Sequence, residues 1–165
     1  METARTSTLI AATITAGLIS GLFYAFTVAV MPGLARSTDR TTVETMQNIN
    51  KAILNGWFML AYLGAPLLIT TTLVLHATDP ETRDAIVPLA AALATCLAAL
   101  IITARINIPL NNALEAAGPP EQHGDPTTTH TARTTYETPW NNANTWRTVL
   151  TTLTLALLTY ALTLH

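Results

Sequence analysis

The chain has 165 residues, half of them apolar and only 11% charged, against roughly 25% in ordinary globular domains. A net charge of −2 leaves no basic stripe for nucleic acid, so no nucleic-acid partner is expected, and the single cysteine, Cys96, rules out an intrachain disulfide. With a mean hydropathy of +0.37, the composition points to a membrane protein.

Four stretches lack charged residues: 8–35, 52–78, 85–104 and 148–164. A span needs about 20 residues, range roughly 17 to 25, so the first three suffice and the fourth does if Trp146 and Arg147 sit at the interface. The expectation is an all-α fold, an integral membrane four-helix bundle forming one domain over 1–165, with spans at about 8–31, 53–76, 85–105 and 146–164. The first apolar run is too long for the core of a signal peptide and lacks a small-residue cleavage site, so it is read as a retained helix.

In helix 1, Gly17 and Gly21 stand in G-x-x-x-G spacing, continued by Ala25 and Ala29, a ridge on which another helix can pack closely. That partner is another helix of the bundle or, in a homo-oligomer, a second copy. Pro32-Gly33 ends the span. Thr41-Thr-Val-Glu44 fits a capping box and opens an interfacial amphipathic extension before helix 2. If that extension runs on unbroken, Asn50, Leu54 and Trp57 share a face and bring an amide and an indole to the membrane boundary. Pro66 predicts a kink inside helix 2.

The turn from His76 to Asp84 mixes charges of both signs and reads as plain solvation. Helix 3 carries Ala90, Ala94 and Ala98 at four-residue spacing for tight packing. Beyond it, Gly118-Pro-Pro120 and Asp125-Pro126 predict a long loop over about 113–139 between helices 3 and 4, long enough to act as a lid. Helix 4 is dense in threonine, whose hydroxyls can bond their own i−4 carbonyls in lipid.

Chemistry concentrates at the ends of these spans. In Trp140-Asn-Asn-Ala-Asn-Thr-Trp-Arg147, residues Trp140, Asn144 and Arg147 fall at i, i+4 and i+7 and share one helix face. Asn107-Ile-Pro-Leu-Asn-Asn112 repeats the theme, with Asn107 and Asn111 four apart beside Arg105. Four spans put loops 1 and 3 on one side, so Asn50, Trp57 and both motifs gather there. Each arginine alone reads as a headgroup contact and each asparagine as a cap, but convergence from three segments favours a site. Lys and Arg are more numerous on that side, which makes it cytoplasmic by the positive-inside rule. The four histidines are scattered with no carboxylate at i+4, so no metal site is expected.

Taken together, Met31-Pro-Gly-Leu34, Met46-Gln-Asn-Ile-Asn50, Asn107-Ile-Pro-Leu-Asn111 and Trp140-x-x-x-Asn144-x-x-Arg147 resemble the family of small four-helix membrane proteins that includes fungal anthrone oxygenases. The resemblance implies oxidation of an anthrone, a tricyclic phenolic ketone, to a quinone by dioxygen without metal, flavin or other cofactor. An enolate formed in such a reaction needs a cation and amide donors near its oxygen. The resemblance then implies Arg147 as that cation, with Arg105 second. Asn107, Asn111 and Asn144 become the donors, with Asn50 also in the site, and Trp140 or Trp57 stacks on the substrate. None of Glu115, Glu137, His123 and His130 stands in a spacing that selects it as the base. The expected partners are membrane lipid, an apolar aromatic small molecule and dioxygen. The alternatives are a lipid- or quinone-binding membrane protein without turnover and a membrane scaffold or assembly protein.

Overall fold

A computed structural model describes residues 1–164, all organised as helices and short connections, with no strand among them. Four helices are long and apolar enough to cross a membrane: α1 (Glu2–Leu34), α3 (Gly56–Ala77), α4 (Pro80–Ala116) and α5 (Pro126–Leu164). They are compatible with a multi-pass membrane protein. A fifth, α2 (Asp39–Ala52), is amphipathic and buries Thr42, Val43, Met46 and Gln47.

The lengths decide the shape. At 1.5 Å per residue, the 37 residues of α4 and 39 of α5 extend about 55 Å and 58 Å, well beyond a hydrocarbon core of about 30 Å. Where the sequence predicts a long loop, the two helices continue, and the connection narrows to 117–125. Pro126 and Asp125 explain the restart, because proline suits the first helical turn and Asp125 Oδ1 accepts from Thr127 N at 2.9 Å. On the other side of the turn, Gly118 ends α4 at φ 81°, a conformation that glycine reaches without strain.

Two main apolar cores result, with a smaller cluster of Ile19, Phe23 and Ala61 between α1 and α3. In the bundle, Leu9, Ala12, Ile69, Leu89 and Leu158 are fully buried. Beyond it, α2 packs on the protruding ends of α4 and α5 around Met46, Leu114, Tyr136 and Trp140, and this second core makes a headpiece. Gln47 Nε2 ties α2 to the end of α4 by donating to the carbonyls of Leu114 and Gly118, both at 2.9 Å. Arg133 ties α5 to the α1–α2 corner with every donor it has. Its Nε meets Glu137 at 2.6 Å, Nη1 meets the Ser37 carbonyl and Asp39 at 2.9 Å, and Nη2 reaches the carbonyls of Leu34 and Ala35. At the opposite end of the bundle Arg5 pairs with Asp79.

Three local expectations change. The cap of α2 is Thr38, whose hydroxyl accepts from Thr41 N at 3.2 Å, so the helix starts before the Thr41–Glu44 box. The extension does not run into α3: the chain breaks at 53–55, and Asn55 Oδ1 caps the new helix by accepting from the backbone N–H of Trp57 and Phe58, each at 3.1 Å. α3 itself stays helical on both sides of Pro66, as a kinked helix also would. The glycine ridge is split, with a Cβ on Gly17 meeting Leu155 at 3.7 Å and one on Gly21 meeting nothing within 4 Å.

Two short π-helical turns, Phe26–Val30 and Thr103–Asn107, interrupt α1 and α4. Each is followed within two residues by a proline, Pro32 or Pro109. Proline cannot donate to the i−4 carbonyl and its ring crowds it, so widening the preceding turn relieves the clash. The wide turn in α4 keeps Thr103, Asn107 and Asn111 in register at four-residue steps. Threonine hydroxyls then join the helices: Ser20 to Thr152 at 3.1 Å, Thr27 to Thr148 at 2.9 Å and Thr95 to Thr154 at 2.8 Å.

Three measurements test this architecture. Replacing Arg133 by Ala should lower stability by about 2–3 kcal/mol in detergent unfolding, because several carbonyls and two carboxylates lose a charged donor at once. The carboxyl of Asp39 lies below its usual 3.8 because His130 and then Arg133 hydrogen-bond its charged form. Its stabilising contribution is therefore present above pH 3.8 and lost as pH falls through the lower folded value, and Asp39→Asn should flatten that acid-side loss. Thr154→Val should cost only about 0.6 kcal/mol, the average for hydroxyl pairs between membrane helices.

Candidate functional site

The seam between the two cores is not filled. A cavity of about 440 Å³ opens there, within the roughly 300–1,000 Å³ typical of small-molecule sites. α1 contributes Leu22, Phe23 and Phe26, and α3 contributes Phe58, Met59 and Tyr62. The break after α2 adds Ile53 and Leu54. Most of the polar groups come from α4 and α5, among them Thr103, Asn107, Asn111, Asn144 and Arg147, with the indole of Trp140 between them.

Arg147 sets the electrostatics. It is 5% exposed and carries no carboxylate partner among the described residues. Its guanidinium lies between two aromatic rings, 4.2 Å from the Phe23 centroid and 5.3 Å from that of Trp140. Nη2 donates to Asn144 Oδ1 at 2.8 Å and Nη1 to Thr103 Oγ1 at 3.4 Å, while Nε is buried without a protein acceptor. Ring faces and neutral oxygens hold the cation without cancelling its charge. A buried charge left in this state is costly, so the site favours a ligand that brings negative charge to oxygen.

The three asparagines have three different tasks. Asn144 is committed at both ends: Nδ2 donates to the Phe23 carbonyl at 3.0 Å and to Thr27 Oγ1 at 2.8 Å, and Oδ1 receives Arg147. It positions the guanidinium against α1, next to the first π-helical turn. Asn111 Oδ1 accepts from Trp140 Nε1 at 2.9 Å and from the Tyr136 hydroxyl at 3.1 Å. An indole N–H only donates, which fixes the amide orientation and leaves the Asn111 NH2 to the cavity. Asn107 is 1% exposed; its Nδ2 points to the Trp140 carbonyl at 3.5 Å, and its Oδ1 has no partner. Where the sequence suggests three donors, the arrangement supplies one amide donor, one buried amide whose oxygen has no partner, and one support.

Asn50, at the end of α2, also lines the cavity. Trp57 and Arg105 do not. Trp57 is 84% exposed because the break at 53–55 resets the helical phase, which separates it from the face of Asn50. Arg105 sits halfway round the π-helical turn whose inner positions are Thr103 and Asn107, so it points outward and is exposed. Of the four acid–base candidates, Glu115 alone reaches the lining, where Lys51 Nζ holds it at 2.8 Å. Glu137 is spent on Arg133, His130 on Asp39, and His123 lies against Thr129 and the Ala117 carbonyl. Phe23, Tyr62 and Thr103 escaped sequence reasoning. Thr103 has a signal, four residues before Asn107, whereas an aromatic within an apolar span has none. No group of three or more His, Cys, Asp or Glu side chains converges among the described residues.

The family model described as anthrone oxygenase matches residues 58–157. That segment holds nearly all of α3, all of α4 and most of α5, and with them Asn107, Asn111, Trp140, Asn144 and Arg147. The Met31-Pro-Gly-Leu34 and Met46–Asn50 elements lie outside it. No curated protein and no solved structure matches the chain. Because the matched segment exceeds half of the 165 residues and carries most of the polar wall of the cavity, the chain belongs to the anthrone oxygenase family.

Proposed function

We propose that this protein oxidises a polycyclic aromatic ketone of the anthrone type to the quinone, with dioxygen as the oxidant. The observation that carries this reading is the buried guanidinium of Arg147, unpaired with any carboxylate among the described residues, at the wall of a largely apolar and aromatic cavity. Such a wall accepts a flat ring system, and such a cation lowers the energy of an oxygen that gains charge.

In this reading the carbon opposite the ketone gives up a proton, and the enolate oxygen lies on the side of the Arg147 guanidinium that lines the cavity, with the Asn111 NH2 as a second donor. We assign the proton to Glu115, the one carboxylate in the described lining. The enolate passes one electron to dioxygen, and the resulting carbon radical and superoxide combine, with a proton, to a hydroperoxide. Loss of the second hydrogen from that carbon as a proton, with cleavage of the O–O bond, releases water and leaves the new carbonyl. One dioxygen is consumed, one oxygen atom enters the product and the other leaves as water. The headpiece faces the cytoplasm, since Arg36, Arg40, Lys51 and Arg105 are exposed on its side and Arg83 on the other.

Oxygen uptake by membranes containing the protein, with a hydroxylated anthrone and with empty membranes to correct for autoxidation, tests the proposal. Arg147→Ala should lower the rate by on the order of 100- to 1,000-fold, as loss of one preorganised oxyanion donor does, while Trp57→Ala should leave it unchanged. Uptake no faster than in empty membranes would sink the oxygenase reading. Quenching of tryptophan fluorescence by the anthrone without any uptake would make the protein a binder of such rings.

A further inference from the structure

Below the main cavity, toward the middle of the bundle, lies a second and much smaller space. It has a volume of about 20 Å³ and is bounded by Ala16 and Ile19 of α1, Ala65 of α3, and Cys96 and Ala99 of α4. Ala65 is nine residues into α3, about 14 Å along its axis, which puts the void near mid-span. Phe23 and Tyr62 line both spaces and form the partition between them.

The void is roomy enough for a small guest yet unsuited to water. A water needs about 10–15 Å³ and two to four polar partners. The hydroxyls at its edge are already committed: Thr151 Oγ1 donates to the Arg147 carbonyl at 2.8 Å, and Thr154 Oγ1 bonds the Leu150 carbonyl at 2.9 Å and Thr95. Apart from the Tyr62 hydroxyl, what remains of the lining is methyl, methylene, sulfur and ring edge. The guest that fits is a small apolar molecule, and its source is the hydrocarbon that surrounds these helices, toward which the void has Leu100 and Tyr62, the half-buried residues of its lining.

We propose that this void is a dioxygen site, through which the oxidant passes from the bilayer interior to the reaction cavity. The inference rests on the oxygenase reading above and adds where its second substrate is held. Dioxygen is apolar and concentrates in hydrocarbon, whereas the ring substrate must enter the larger cavity, so separate approaches keep the two from competing. The Phe23 ring is the common wall, and the Arg147 guanidinium lies 4.2 Å from its centroid on the cavity side. Dioxygen that passes this wall meets the enolate beside the one buried cation of the cavity. The superoxide formed by the single-electron step is an anion in a water-poor space, and Arg147 offsets its charge until it bonds to carbon. An approach through the headpiece would cross the polar side of the site.

Crystals of the full chain pressurised with krypton, located by its anomalous signal, report the void without any turnover. Krypton should occupy the space between Ala16, Ala65 and Ala99 in the wild type, more fully in Cys96→Ala and less in Ala99→Val. In oxygen-uptake kinetics Ala99→Val should raise the KM for dioxygen several-fold and leave the KM for the anthrone unchanged. Should that variant fail to fold, Ala65→Val narrows the same void from α3. Absence of krypton in both the wild type and Cys96→Ala would overturn the site, and an unchanged KM for dioxygen in a folded, krypton-excluding variant would overturn the route. If the wild type shows no uptake above empty membranes, the oxygenase reading has failed, and the krypton result alone decides whether the void takes an apolar gas.

Discussion

A guanidinium buried among four long apolar helices, with no carboxylate to balance it among the described residues, is the constraint on which the rest of this structure depends. Desolvation of such a charge is unfavourable, and the protein offsets it with ring faces and neutral oxygens drawn from three helices. Phe23 comes from α1, Thr103 from α4, and Trp140 and Asn144 from α5 together with Arg147 itself. Both π-helical turns adjoin this cluster. The widened turn in α4 aligns Thr103 with Asn107, and the one in α1 follows the Phe23 carbonyl that Asn144 bonds. The backbone irregularities and the unpaired cation are two sides of one arrangement.

That arrangement lies between two cores of different kinds. The bundle core is lined by small and branched aliphatic side chains and is knit by threonine hydroxyls between helices. The headpiece core is richer in aromatic and sulfur side chains and is held by charged and amide groups that reach backbone carbonyls, above all Arg133 and Gln47. Neither core can extend into the other, because the polar wall from Asn107 to Arg147 lies at their junction. A cavity at such a junction is apolar where it meets the bundle and hydrogen-bonding where it meets the headpiece. A ring system that carries a ketone has the same division.

The apolar side continues downward past Phe23 and Tyr62 into the small void. Polarity therefore falls in order along the bundle, from the ion pair of Lys51 and Glu115 at the mouth, through the amides and guanidinium, to alanine and cysteine near mid-span. Protons can be exchanged at the mouth and charge stabilised in the middle. A neutral gas can be held below.

By itself the sequence determined an all-helical chain with four helices long and apolar enough to cross a membrane, the shared face of Trp140, Asn144 and Arg147, and the gathering of Asn107, Asn111 and Asn50 on the same side. These follow from hydrophobic run length, helical period and the parity of four crossings, all of which are local or topological. Only the tertiary structure decided the rest. The break at 53–55 turned Trp57 away, and the widened turn at 103–107 turned Arg105 out, since a change of phase depends on how a helix end or a proline is accommodated. Packing of α2 drew residues 113–116 and 126–139 into helices where turn chemistry alone predicts a loop, because burial of Met46, Leu114 and Tyr136 outweighs it. Whether each asparagine donates, accepts or supports was settled by its neighbours, as no side chain carries that information until Trp140, Phe23 and Arg147 stand beside it.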